Sequence, residues 1–167
     1  MRHSESQPSP YAGQEAREIK ALSAEEIQGY LSGEGMGLAK AAELNGYPGP
    51  AHVLEFAAQL EMTSEQLAKT EAAFASMHEK AASFGRALVK EEAKLDLLFA
   101  TKSATPESVA AALDEIGALQ AKVRNAHLEA HLTESEILTA EQRARYAELR
   151  GYGESGANPD HAGMHVR

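Results

Sequence analysis

Between residue 63 and about residue 100 a mostly apolar stripe returns at alternating intervals of three and four: Leu67, Thr70, Phe74, Met77, Ala81, Phe84, Leu88, Glu91, Leu95 and Leu98. That period puts the stripe on one face of a single long α-helix. A seam of this length packs against another helix at a shallow angle. The partner follows at once. Residues 101–104 are a polar break, Thr105-Pro106-Glu107 caps a second helix with proline at its first position, and a second stripe runs through Val109, Ala112, Ile116, Leu119, Val123, Ala126, Ala130, Thr133 and Ile137. Two long helices joined by a few residues lie antiparallel. The expected fold is all-α, a long antiparallel helical hairpin bracketed by shorter helices.

The brackets are legible from their caps. Ser23-Ala24-Glu25-Glu26 is a capping box ahead of a short helix that fails at Gly33-Glu34-Gly35-Met36-Gly37, a stretch read as a flexible hinge rather than a phosphate loop because neither a strand nor Gly-Lys-Ser/Thr accompanies it. Residues 38–44 form a second short helix, stopped by Asn45-Gly46. Tyr47-Pro48-Gly49-Pro50 is a rigid turn, residues 51–60 read helical, and a last helix over 140–150 is closed by Gly151. The division is a disordered segment at 1–20, a short-helix extension with its turn at 21–50, a helical domain at 51–151 and a disordered tail at 152–167. Leu22, Ile27, Leu31, Leu38 and Leu44 predict that the extension folds as a small flap over the hairpin.

The composition agrees. There is no Trp or Cys and there are only four Phe and five Tyr, so the core is aliphatic and neither a disulfide frame nor a thiolate metal site is available. A net charge of −9, from 25 acidic and 16 basic residues, argues against a nucleic-acid grip and favours cationic or metal partners. No run approaches a membrane span, so no membrane insertion is expected.

Met62-Thr63-Ser64-Glu65-Gln66 recurs 76 positions later as Leu138-Thr139-Ala140-Glu141-Gln142. Each is a capping box preceded by an apolar residue, and they open the first long helix and the last helix. In this order they resemble the Leu-Thr-x-x-Gln boxes of the periplasmic Spy/CpxP/ZraP family, to which heavy-metal sensors of the CnrX type are related. The resemblance covers residues 51–150. It implies a periplasmic, all-helical homodimer whose signal peptide has been removed, and a non-enzymatic envelope-stress protein: an ATP-independent chaperone, a metal-responsive binding protein, or both. The alternative is a dedicated periplasmic Cu, Zn, Ni or Co sensor or buffer without client activity. Partners implied are a second copy, unfolded clients, or a sensor kinase or other signalling protein. The strong negative charge departs from the basic cradles described for Spy-like members.

Candidate chemistry centres on His127 and His131, four apart and therefore on one helix face, a spacing at which two imidazoles reach one ion. The intervening Glu129 lies roughly 200° around the helix, so a zinc-protease reading fails. If the hairpin turns between Lys102 and Ser103, residues whose numbers sum to about 205 share a level. His78 then faces His127, and Met77 and His131 stand nearby. Met77, His78, His127 and His131 form a thioether and imidazole set suited to copper, or to zinc without the methionine. Met77 also fits as plain core, exposed histidines at this spacing often bind nothing, and Arg124 one turn away opposes a cation unless it points elsewhere. No cofactor is required, and a Cu or Zn ion is the candidate ligand. The family's sensors carry paired His-x-x-x-His and His-x-x-x-Met motifs on facing helices; His52 here is followed four residues on by Phe56. Met1-Arg2-His3 and the run Asp160-His161-Ala162-Gly163-Met164-His165 are further loose donor sets. Glu91 on the first seam is expected to pair with Lys90 or Lys94.

Overall fold

The computed structural model describes residues 6–153; the donor sets at 1–3 and 160–165 lie outside the described residues. Helices α1 (Ala24–Leu31), α2 (Lys40–Glu43), α3 (Pro50–Glu55), α4 (Ser64–Ala100), α5 (Pro106–Ile137) and α6 (Ala140–Leu149) follow in order, with no strand among the described residues. None of the described helices is long and apolar enough to cross a membrane.

The hairpin forms as its stripes require. Helix α4 has 37 residues and α5 has 32, and they pack along their length. Thr70, Ala81 and Leu88 of one stripe and Ile116, Val123, Ala126 and Ala130 of the other are buried. The second stripe deviates at its end: Thr133 is exposed and Glu134, one position on, is fully buried. Its Oε1 accepts from the Thr70 hydroxyl at 2.7 Å, which fixes the antiparallel register near the level that the turn position predicts. Glu91 pairs with Lys94 at 2.8 Å.

Both Thr boxes are closed as capping boxes, and they bind each other. Gln66 and Gln142 exchange hydrogen bonds of 2.7 and 3.0 Å through their side-chain amides. Gln66 also donates to the Ile137 carbonyl, and Gln142 to the Leu60 carbonyl. This clasp joins the start of α4 to the α5–α6 junction. Beside it, Val53, Leu60, Leu138 and Tyr146 make one core cluster; Leu88, Ile116 and Val123 make another farther up the hairpin.

The extension lies across the hairpin as a helical flap, α1 on α4 and α2 on α5. Gly85 of α4 permits the approach, because a Cβ there would stand 2.0 Å from the Tyr30 carbonyl oxygen. The glycine-rich stretch read as a flexible hinge is a packed turn. Gly33, in the left-handed region at φ 67°, is buried where a Cβ would come within 3.0 Å of the His78 carbonyl oxygen. Two short helices are briefer than their sequence patterns: α2 spans Lys40–Glu43, and α3 stops at Glu55, giving way to turns that end in Glu61 at φ 51° and deliver the extended backbone of the Thr63 cap. Ahead of α1, Ile19 is 5 % exposed and the Lys20 N–H donates to Asp96, so aperiodic sequence there is still seated on α4.

Candidate functional site

Between the two core clusters the flap roofs a hollow of about 760 Å³. Met77 and His78 of α4, His127 and His131 of α5, and Met36 and Glu43 of the extension line it. The four side chains singled out from the sequence therefore share one space.

Each is held differently. His127 is 3 % exposed, and its Nε2 is buried without a partner. Burial first, then the neighbouring His131, push its pKa below the ordinary imidazole value, against an opposing hydrogen bond to the Glu34 backbone. It is therefore neutral at pH 7 and carries a free lone pair. The other α5 histidine, His131, donates from Nδ1 to the Tyr47 carbonyl at 2.6 Å. Its Nε2 edge lies against Gly49, where a Cβ would stand 2.6 Å away. On α4, His78 is exposed and stacks on Phe74 with ring centroids 6.0 Å apart. Met77 is half-buried.

The four share the hollow without converging. Among the described residues no three His, Asp or Glu side chains are grouped so as to hold a metal ion. The reason is local: His131 is taken by Tyr47, His127 is sealed under the extension, and His78 is drawn onto Phe74. The cation that opposed a metal site is directed elsewhere, since Arg124 Nε donates to the Leu38 carbonyl at 3.2 Å and Arg124 does not line the hollow. His52 lines the space, with Nδ1 3.3 Å from Glu55, while Phe56 packs edge-on to Tyr146. A second facing donor pair is not made there.

Glu43 had no signal in the sequence and is the main polar node of the site. Its Oε1 accepts from the Tyr146 hydroxyl at 2.7 Å and the Tyr152 hydroxyl at 3.0 Å, with Arg150 Nε 3.4 Å away. Its Oε2 is buried with no hydrogen-bond partner, 3.7 Å from His131 Nδ1. One carboxylate thus ties α2 to α5, to α6 and to the turn beyond α6. Burial and then the Glu43 bond raise the Tyr146 pKa far above the ordinary phenol value, so Tyr146 remains the donor. Glu134 also escaped the sequence reading. Its place one helical turn after Ala130 on the same stripe is the clue that would have found it.

The donor chemistry of the helical walls suits a soft or borderline cation: the neutral imidazole of His127, the second imidazole of His131 one turn on, and the thioether of Met77. A family profile for heavy-metal resistance matches residues 32–145. The chain belongs to that heavy-metal resistance family. This is the family of Spy/CpxP-like proteins with Leu-Thr-x-x-Gln boxes, a non-enzymatic family of resistance and binding proteins whose members are typically secreted or periplasmic. Comparison with curated proteins and with solved structures gave no match. The matched span begins inside the extension and includes both histidines of α5, the Glu43 node and both Thr boxes.

Proposed function

We propose that this heavy-metal resistance protein is a periplasmic, Spy/CpxP-type envelope-stress protein that works as a metal-responsive binding protein. Copper or zinc would be its ion, with His127 and His131 as principal donors and Met77 and His78 completing the set. One observation carries this reading: a buried, neutral imidazole nitrogen with no partner, one helical turn from a second imidazole, in a hollow that also holds thioether sulfur. An unpaired buried polar atom costs about 1–3 kcal/mol, a penalty that a ligand at that atom relieves. The net charge of −9 favours cation capture. Titration calorimetry of the full chain with Cu(II) and with Zn(II) tests it: binding near one equivalent is expected, and its loss in the His127→Ala/His131→Ala double variant.

A second reading, ATP-independent client binding, is favoured by a different observation. Leu97 and Phe99 of α4 and Leu113 of α5, near the hairpin turn, are 60 %, 55 % and 50 % exposed. Such apolar surface suits an unfolded client or a second copy of the chain. Suppression of aggregation of a denatured client at near-stoichiometric ratio separates this role from that of a dedicated sensor or buffer acting through a signalling partner. Sedimentation equilibrium reads the homodimer.

A further inference from the structure

The segment 33–49 occupies the ground that an ion at His127 and His131 needs. Three independent contacts say so. The Nε2 atom of His127 is closed off from solvent although its residue borders the hollow, and the ring's hydrogen bond to the Glu34 backbone sets it against this segment. His131 is held by the same segment: Nδ1 donates to the Tyr47 carbonyl, and its Nε2 edge lies so close to Gly49 that a Cβ there would stand 2.6 Å away. Glu43 then fastens the segment at its middle, to Tyr146 and Tyr152 by hydrogen bonds and to Arg150 by an ion pair, with its second oxygen 3.7 Å from His131 Nδ1. The seating uses glycines where backbone meets wall: Gly33 against α4 at His78 and Ala82, and Gly49 against His131.

We propose that residues 33–49 are an autoinhibitory cover, latched by Glu43, which competes with a metal ion for His127 and His131 and is released when the ion binds. The idea rests on the metal reading above and adds its direction: ion and closed cover exclude each other. A closed fraction reduces apparent affinity in proportion to the scarcity of the open form, and loosening the cover restores it. Metal binding thereby becomes a movement of the extension, which is the kind of change a signalling partner can read.

The test is hydrogen exchange of the full chain with and without saturating Zn(II), together with calorimetry of Zn(II) binding to wild type, Gly49→Ala and Glu43→Gln. Gly49→Ala crowds the cover off His131; its backbone, at φ −96°, accepts alanine. Glu43→Gln weakens the latch. Zn(II) should speed exchange across 33–49, and each variant should bind the ion about tenfold more tightly than wild type. Exchange that is unchanged or slowed by Zn(II) in a protein that binds it, or weaker binding in both variants, overturns the cover and leaves the metal site standing. If neither wild type nor either variant binds Zn(II) or Cu(II), the metal reading itself falls, and the cover with it.

Discussion

Gln66 and Gln142, which stand 76 positions apart, use all of their side-chain hydrogen-bonding capacity on each other and on the two junctions they cap. Each carbonyl oxygen accepts from its own Thr N–H and from the partner amide; each NH₂ donates to the partner and to a backbone carbonyl. This is why the repeat carries glutamine where a lone capping box accepts glutamate equally well. Gln66→Ala and Gln142→Ala should each cost about 1–3 kcal/mol. Their coupling in a double-mutant cycle, read by urea unfolding, should be about 1–2 kcal/mol. Glutamate at either position should destabilise too, because it cannot donate. Additive losses would mean two independent caps.

Glu134 and His127 give opposite pH slopes. Burial raises the Glu134 pKa from its ordinary 4.5, against the Thr70 hydrogen bond, so the stability tied to its neutral form is complete below 4.5 and is lost as pH rises through the folded value. Burial lowers the His127 pKa from 6.5, so the stability tied to its neutral form is complete above 6.5 and is lost as pH falls through the folded value. Denaturation across pH 4–9 should show the loss of stability on raising pH above 4.5 flattened in Glu134→Gln and the loss on lowering pH below 6.5 flattened in His127→Gln. Unaltered slopes would place both groups in water.

Two helix glycines should respond to alanine with opposite signs. In an open helix position the exchange stabilises by about 0.5–1 kcal/mol, and Gly117 of α5 has nothing within 4 Å of an added Cβ. Gly85 has the Tyr30 carbonyl oxygen at 2.0 Å, so alanine must push α1 away and destabilise by about 1–3 kcal/mol. Thermal unfolding of the two variants checks this; stabilisation by both would show that α1 does not rest on α4.

Tyr146→Phe removes one hydrogen bond to Glu43 while keeping the ring, which is 2 % exposed. Bonds to charged groups are worth about 1.5–3 kcal/mol, and a loss of that size is expected in chemical denaturation. Phe should also speed hydrogen exchange at residues 40–47, because the node anchors α2. A change confined to α6 would contradict the latch.

The hairpin, its register and its caps were legible because each rests on local chemistry: a three-four stripe, a Thr with Gln three residues on, a proline at a first turn. The seam is covered in part from within by the helical flap, which reads from Ser23 and its leucines, whereas its tight docking on Gly85 depends on a contact remote in sequence. The donor set was legible as far as the hollow. What the sequence does not show is that Tyr47 and Gly49 engage His131, or that Glu43 joins three helices, because those pairings close loops of more than eighty residues with no periodic signature. Glu134 was one position from the predicted stripe and was missed because threonine is the easier seam residue.

Calorimetric titration of the wild-type chain and the His127→Ala/His131→Ala variant with Cu(II), at pH 7 where His127 is neutral, probes the two-imidazole site at its centre. Binding near one equivalent that disappears in the double variant, with the variant still folded by circular dichroism, is the expected result. Equal binding by both proteins would contradict it.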